Sequence, residues 1–68
     1  MKPHSYETLE GLVQRIGEKA LWFREDGAAH DICIPLSQVR DGEYVKVNDV
    51  QIDVTRWLLR KLDDEGKR

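Results

Sequence analysis

Apolar and polar residues along this chain repeat with two periods, and the switch between them separates short strands from one closing helix. At the start the two periods compete. Leu9, Leu12, Val13 and Ile16 fall at i, i+3, i+4 and i+7, the spacing of an amphipathic helix with Ser5 as N-cap and Gly17 as stop. Leu12, Gln14 and Ile16 also alternate as a half-buried strand does, and Gly11 interrupts the helix reading. The pattern predicts a strand over 11–16, with a helix over 5–16 as the alternative. Gly17-Glu18 then supplies a two-residue hairpin loop. "KALWFRE", 19–25, is short and aromatic-rich, which predicts a strand, and Asp26-Gly27 is a strong hairpin signal. "AAHDICIP", 28–35, returns as its partner, with Ile32 and Ile34 on one face and Cys33 on the other; Pro35 cannot donate to a ladder, so pairing stops there. Residues 36–43 form a turn or a single helical turn with a loop at Asp41-Gly42. Val45 and Val47, then Val50, Ile52 and Val54, alternate about Asn48-Asp49 and predict a further hairpin over 44–54. Finally Val54, Trp57, Leu58 and Leu62 form an apolar stripe at helical spacing, with Asp53 or Thr55 as cap and Gly66 as stop.

These elements predict an α+β fold: a small curved antiparallel β-sheet or partly open barrel of four to five strands, with the C-terminal helix across one face or end. The 68 residues make a single domain, 1–68, with 1–5 frayed at the start. A domain of this size is near the limit at which a core holds a fold without staples. The one cysteine cannot form an internal disulfide. No apolar run follows Lys2, and no window approaches the ~18 apolar residues of a membrane span. The expected location is the reducing cytoplasm of a bacterial host.

Composition narrows the classes of function. Charged residues are 35% and apolar ones 40%, a globular rather than disordered balance. Eleven basic against thirteen acidic side chains leave a formal charge of −2, which argues against nucleic acid as the main ligand, since phosphate neutralisation requires a basic excess.

The candidate chemistry is concentrated in "HDICIPLSQV", 30–39. His30 and Cys33 suggest a metal pair or a nucleophile and base, but a structural zinc site needs four ligands, and the other histidine, His4, is distant. In a strand, residues 30 and 33 point to opposite faces, which separates the two groups. Cys33 sits between isoleucines, as a small hydrophobe does. The acidic pairs Glu25–Asp26 and Asp63–Asp64–Glu65 fall at a hairpin tip and a helix end, and Asp49–Asp53 is the third such pair. No glycine-rich phosphate loop or serine elbow is present. The expectation is a protein that is not an enzyme and takes no cofactor or metal.

Aromatic residues suggest binding instead. Ala20 and Trp22 share one face of their strand and Leu21 and Phe23 the other, so a sheet covered on one side leaves one large aromatic exposed. Trp57 and one of Trp22 or Phe23 are expected in the core. Trp22, Phe23 and Tyr44 are the candidate protein-binding residues, because large aromatics are enriched at interfaces. The alternative is a nucleic-acid surface made by Arg56, Arg60 and Lys61 beside Trp57. A second copy of the chain is the third candidate partner.

Residues 18 to 66 resemble small proteins of phages and other mobile elements. In that pattern "EKA" and apolar residues open a strand, an acidic-Gly turn follows, the next strand ends in aromatic-Ile-Pro-x-Ser-Gln-Val/Ile, and a Trp-Leu helix closes. The matching pieces here are "EKALWF", "EDG", "CIPLSQV" and "RWLLRKLDDEG". The chain departs from it with Cys33 where an aromatic is usual and Leu36 where lysine is usual. The resemblance implies a compact protein that acts by binding and blocking, such as an anti-CRISPR or other anti-defence inhibitor, or by partnering replication and recombination proteins.

Overall fold

The computed structural model describes residues 5–67; His4 and the rest of 1–4 lie outside the described residues, as does Arg68. The fold is α+β: four antiparallel strands, β1 (Tyr6–Ile16), β2 (Ala20–Glu25), β3 (Ile32–Pro35) and β4 (Gln51–Thr55), followed by helix α1 (Arg56–Asp64). They form one open sheet in the order β3-β2-β1-β4. Short 3-10 turns occupy Leu36–Gln38 and Gly42–Tyr44.

The helical alternative for the first segment is not taken, and the strand begins five positions before Gly11, at Tyr6. Its length has a cause. β1 pairs β4 along Tyr6 to Glu10 and β2 along Gly11 to Ile16, so one strand carries two ladders in succession. Gly11 marks the changeover. Its N–H donates to the Val50 carbonyl (2.9 Å), and the Asp26 N–H donates to the neighbouring Glu10 carbonyl (3.0 Å). The β2 backbone passes so close that a Cβ at position 11 would stand 2.7 Å from the Glu25 Cα. A register shift between Val13 and Arg15 leaves Gln14 as a bulge. The hairpin to β2 closes one residue later than the sequence suggests: the Gly17 N–H donates to the Ala20 carbonyl (2.7 Å), leaving Glu18-Lys19 as the loop.

Alternation fixes what each strand buries. Leu21 and Phe23 of β2, Ile32 and Ile34 of β3, Leu9 and Val13 of β1, and Ile52 and Val54 of β4 share the inner face. Leu58, Leu59 and Leu62 of α1 cover it. Phe23 is fully enclosed and Trp22, on the outer face, is half-buried. Trp57, expected in the core, is 60% exposed; Leu59 takes the position inside.

The hairpin predicted over 44–54 does not form. Only its second arm is a strand, β4, and β4 pairs with β1 instead. The residues just before β4 bond to β1 rather than to β4: the Val13 N–H donates to the Asp49 carbonyl (2.9 Å). Asn48 takes a positive φ of 77° and donates its N–H to the Val13 carbonyl (2.9 Å), while the Asp49 side chain accepts the Lys46 N–H (2.9 Å). Local side-chain bonding of this kind replaces strand pairing. Val47 and Val50 are consequently exposed.

Helix α1 is capped at both ends by its own sequence. The Thr55 hydroxyl accepts the Leu58 N–H (3.2 Å) and donates to the Gln38 side-chain carbonyl (2.7 Å). At the other end Gly66 adopts a φ of 69°, the Gly66 N–H donates to Asp63 and the Lys67 N–H to Leu62, a Schellman closure. Because buried Thr55 serves both the cap and a tertiary bond, Thr55→Ala is expected to cost about 2 kcal/mol, the upper end for a cap, in chemical denaturation. Thr55→Ser should recover most of it.

Candidate functional site

The two edges of the sheet differ. The outer edge of β4 is occupied by the segment after the first 3-10 turn: Val39 bridges Val54, and the Arg40 N–H donates to the Asp53 carbonyl (2.8 Å). The outer edge of β3 has no strand against it among the described residues. Which of its backbone groups face outward follows from the register. Leu36 N–H donates to the Lys19 carbonyl (2.8 Å), and the pairs Ile34–Leu21 and Phe23–Ile32 continue at the same parity. In an antiparallel ladder these are the mutually bonded pairs, so the intervening Cys33 turns its N–H and carbonyl away from β2. Pro35 has no N–H, and its carbonyl opens the following 3-10 turn as the N-cap, so Cys33 alone presents a free outward pair.

Beside this edge runs a groove of about 660 Å³ between β3 and α1. Ile32, Leu58 and Leu62 supply its apolar floor, Trp57 and Lys61 one rim, and His30 to Cys33 the other, with Gln38 also in the lining. Gln38 is held there by the Thr55 hydroxyl. Both carboxylates of the lining are paired with a cation. Asp31 accepts from the Arg24 guanidinium (2.9 Å) and Glu65 lies 3.4 Å from the Lys67 ammonium. Lys61 has no carboxylate partner among the described residues; its ammonium stands 5.2 Å from the centre of the Trp57 ring.

The sequence pattern predicts His30 on a strand, facing away from Cys33. β3 in fact begins at Ile32, His30 lies in the preceding bend, and both residues border the same groove. Alternation along a strand therefore does not separate them. They still lack further ligands: among the described residues no group of three His, Cys, Asp or Glu side chains could hold a metal ion.

The three residues expected to bind protein are not brought together. Phe23 is fully enclosed and cannot touch a partner, which removes it from the site, because the face of β2 that carries it is the one α1 covers. Trp22 lies on the outer face, opposite Arg15 and Cys33 in the ladders, with the Arg15 guanidinium 4.2 Å from its ring centre. Tyr44 is 73% exposed on the second 3-10 turn, near β4 and away from the groove.

The basic residues of α1 do share a surface with Trp57, but not a continuous basic one. Arg56 lies 3.8 Å from Glu7, and Arg60 shares its surroundings with Asp63 and Asp64. Phosphate contacts there would compete with these carboxylates.

The groove itself escapes a sequence reading, although two signals point to it. Pro35 confines its strand to an edge, and the i+3 and i+4 neighbours of Trp57 are Arg60 and Lys61, which turns that ring toward the polar side of α1. Compared with known proteins, the chain matches no family model, no curated protein and no solved structure. Among the described residues, no helix is long and apolar enough to cross a membrane.

Proposed function

We propose that this chain is a non-enzymatic protein-binding module of phage or mobile-element type, one that acts by occupying a partner, in the manner of an inhibitor of a host defence complex. The observation that supports it best is the exposed Trp57 at the rim of an apolar groove beside an unpaired strand edge. A large aromatic ring next to a desolvated apolar floor is the arrangement of an interface hot spot. The resemblance of "EKALWF", "CIPLSQV" and "RWLLRKLDDEG" to mobile-element proteins supports the origin, and the −2 charge favours a protein over a nucleic acid.

Nuclease-treated bacterial lysate passed over the immobilised chain tests the reading, with any retained protein then purified and titrated back against it. One protein should rebind in isolation, and Trp57→Ser should weaken that binding by about tenfold or more, a hot-spot loss, while leaving the melting temperature nearly unchanged. Retention of oligonucleotides alone, with salt-sensitive quenching of tryptophan fluorescence, would replace it with the second reading, an accessory nucleic-acid binder using Arg56, Arg60, Lys61 and Trp57. That reading has one observation in its favour, the Lys61–Trp57 stack.

A further inference from the structure

We infer that the outer edge of β3 is the binding edge of this module, and that its ligand is an extended peptide segment of a partner protein, added to the sheet as a further strand. This rests on the protein-binding reading and assigns it a place and a ligand chemistry. Cys33 offers an outward N–H and carbonyl, which an antiparallel peptide satisfies with its own main chain. The peptide residue opposite Cys33 shares the outer face with that side chain. Its two neighbours fall opposite Ile32 and Ile34 and so face inward, toward Leu58 and Leu62 in the groove. A volume of about 660 Å³ accepts a large apolar side chain there.

Charge selects further. With Asp31 and Glu65 each engaged by a cation, Lys61 is the groove's unbalanced charge, and it sits at the Trp57 rim. A peptide with an acidic residue next to its apolar anchor complements it. A second copy of this chain fits the edge less well. Antiparallel self-pairing about Cys33 would set Pro35 against Asp31 of the copy, where proline has no N–H to give. It would also bring two Lys61 ammonium groups to one seam.

Linear peptides selected from a random display library on the immobilised chain, then titrated into the isotope-labelled full chain, test the inference. The selected peptides should alternate apolar residues and share an acidic position. They should slow exchange of the Cys33 amide by about tenfold or more, as a formed main-chain hydrogen bond does. Cys33→Pro removes the outward N–H without touching the β2 ladder and should abolish binding at an unchanged circular dichroism spectrum. Should proline at this position unfold the chain, Lys61→Glu serves instead, and it should weaken the acidic peptides while Lys61→Arg does not. Peptides that bind with the Cys33 amide unaffected and with Lys61→Glu silent would overturn the edge assignment but leave a protein-binding module, using the Trp22 or Tyr44 surface. Slow Cys33 exchange without peptide, together with a mass that rises with concentration, would overturn it in favour of self-association. Failure to select any peptide, with oligonucleotides bound, would overturn both.

Discussion

Gly11→Val is expected to prevent this domain from folding, although a glycine inside a strand is normally a weak point that valine improves. The reason is the changeover in β1. At position 11 the strand leaves β4 for β2, and a Cβ would meet the Arg24 carbonyl oxygen and the Glu25 Cα, both backbone atoms that no rotamer change can move aside. Relieving the overlap means separating β1 from β2 at the centre of the sheet. Overpacking typically costs 1–3 kcal/mol where side chains yield, and about 3 kcal/mol or more is expected here because they cannot. A domain of this size has a total stability of roughly 3–10 kcal/mol, so alanine at this position should already lower the denaturation midpoint steeply and valine should leave no cooperative transition. Equilibrium unfolding followed by circular dichroism reads both. A valine variant as stable as the wild type would mean that the two ladders do not meet at Gly11.

Phe23→Ala is the second large effect. The ring is fully enclosed between the sheet and α1, so truncation removes apolar contact and leaves a cavity, a loss of about 3–5 kcal/mol. Trp22, its neighbour in sequence, lies on the outer face and is half-buried, with Arg15 stacked on it. Trp22→Ala should therefore cost far less, about 1–2 kcal/mol from lost area and the cation–π contact. The contrast between adjacent aromatics is the sharper observation. Equal losses for the two variants would contradict the assignment of β2 faces.

The same pair shows how far the sequence speaks for itself. Period-two alternation separates Leu21 and Phe23 from Ala20 and Trp22 without help, but it does not say which pair the helix covers. That depends on where α1 lies, a tertiary fact. The caps of α1 are local and legible: Thr55 and Gly66 stand at the ends that their chemistry predicts. Trp57 is less so. It falls on the apolar stripe with Leu58 and Leu62, but Leu59 is equally close to that stripe, and in the fold Leu59 is the one buried. The alternating valines at 45–54 mislead because strand pairing is a competition between partners. β4 is claimed by the early residues of β1, forty-five positions away for Thr8 and Asp53, which also share a side-chain hydrogen bond. No local window reveals a partner at that distance. His30 is misplaced for a smaller reason: the loop after Gly27 extends to Asp31, longer than the two-residue turn that Asp26-Gly27 suggests.

The groove combines these levels. Pro35 flags the edge, Trp57 the rim, and Ile32 with Leu58 the floor, yet their convergence appears only once β3 and α1 are set side by side. The unpaired state of the β3 edge is what both the binding reading and its ligand depend on. Amide hydrogen exchange of the free chain, followed residue by residue by NMR at low concentration, tests it most directly. Exchange at Cys33 should run close to the rate of an unprotected amide, while Ile32 and Ile34, bonded into the β2 ladder, exchange only with global unfolding. Protection of Cys33 equal to that of its two neighbours would contradict the account, because it would mean that the edge is already covered.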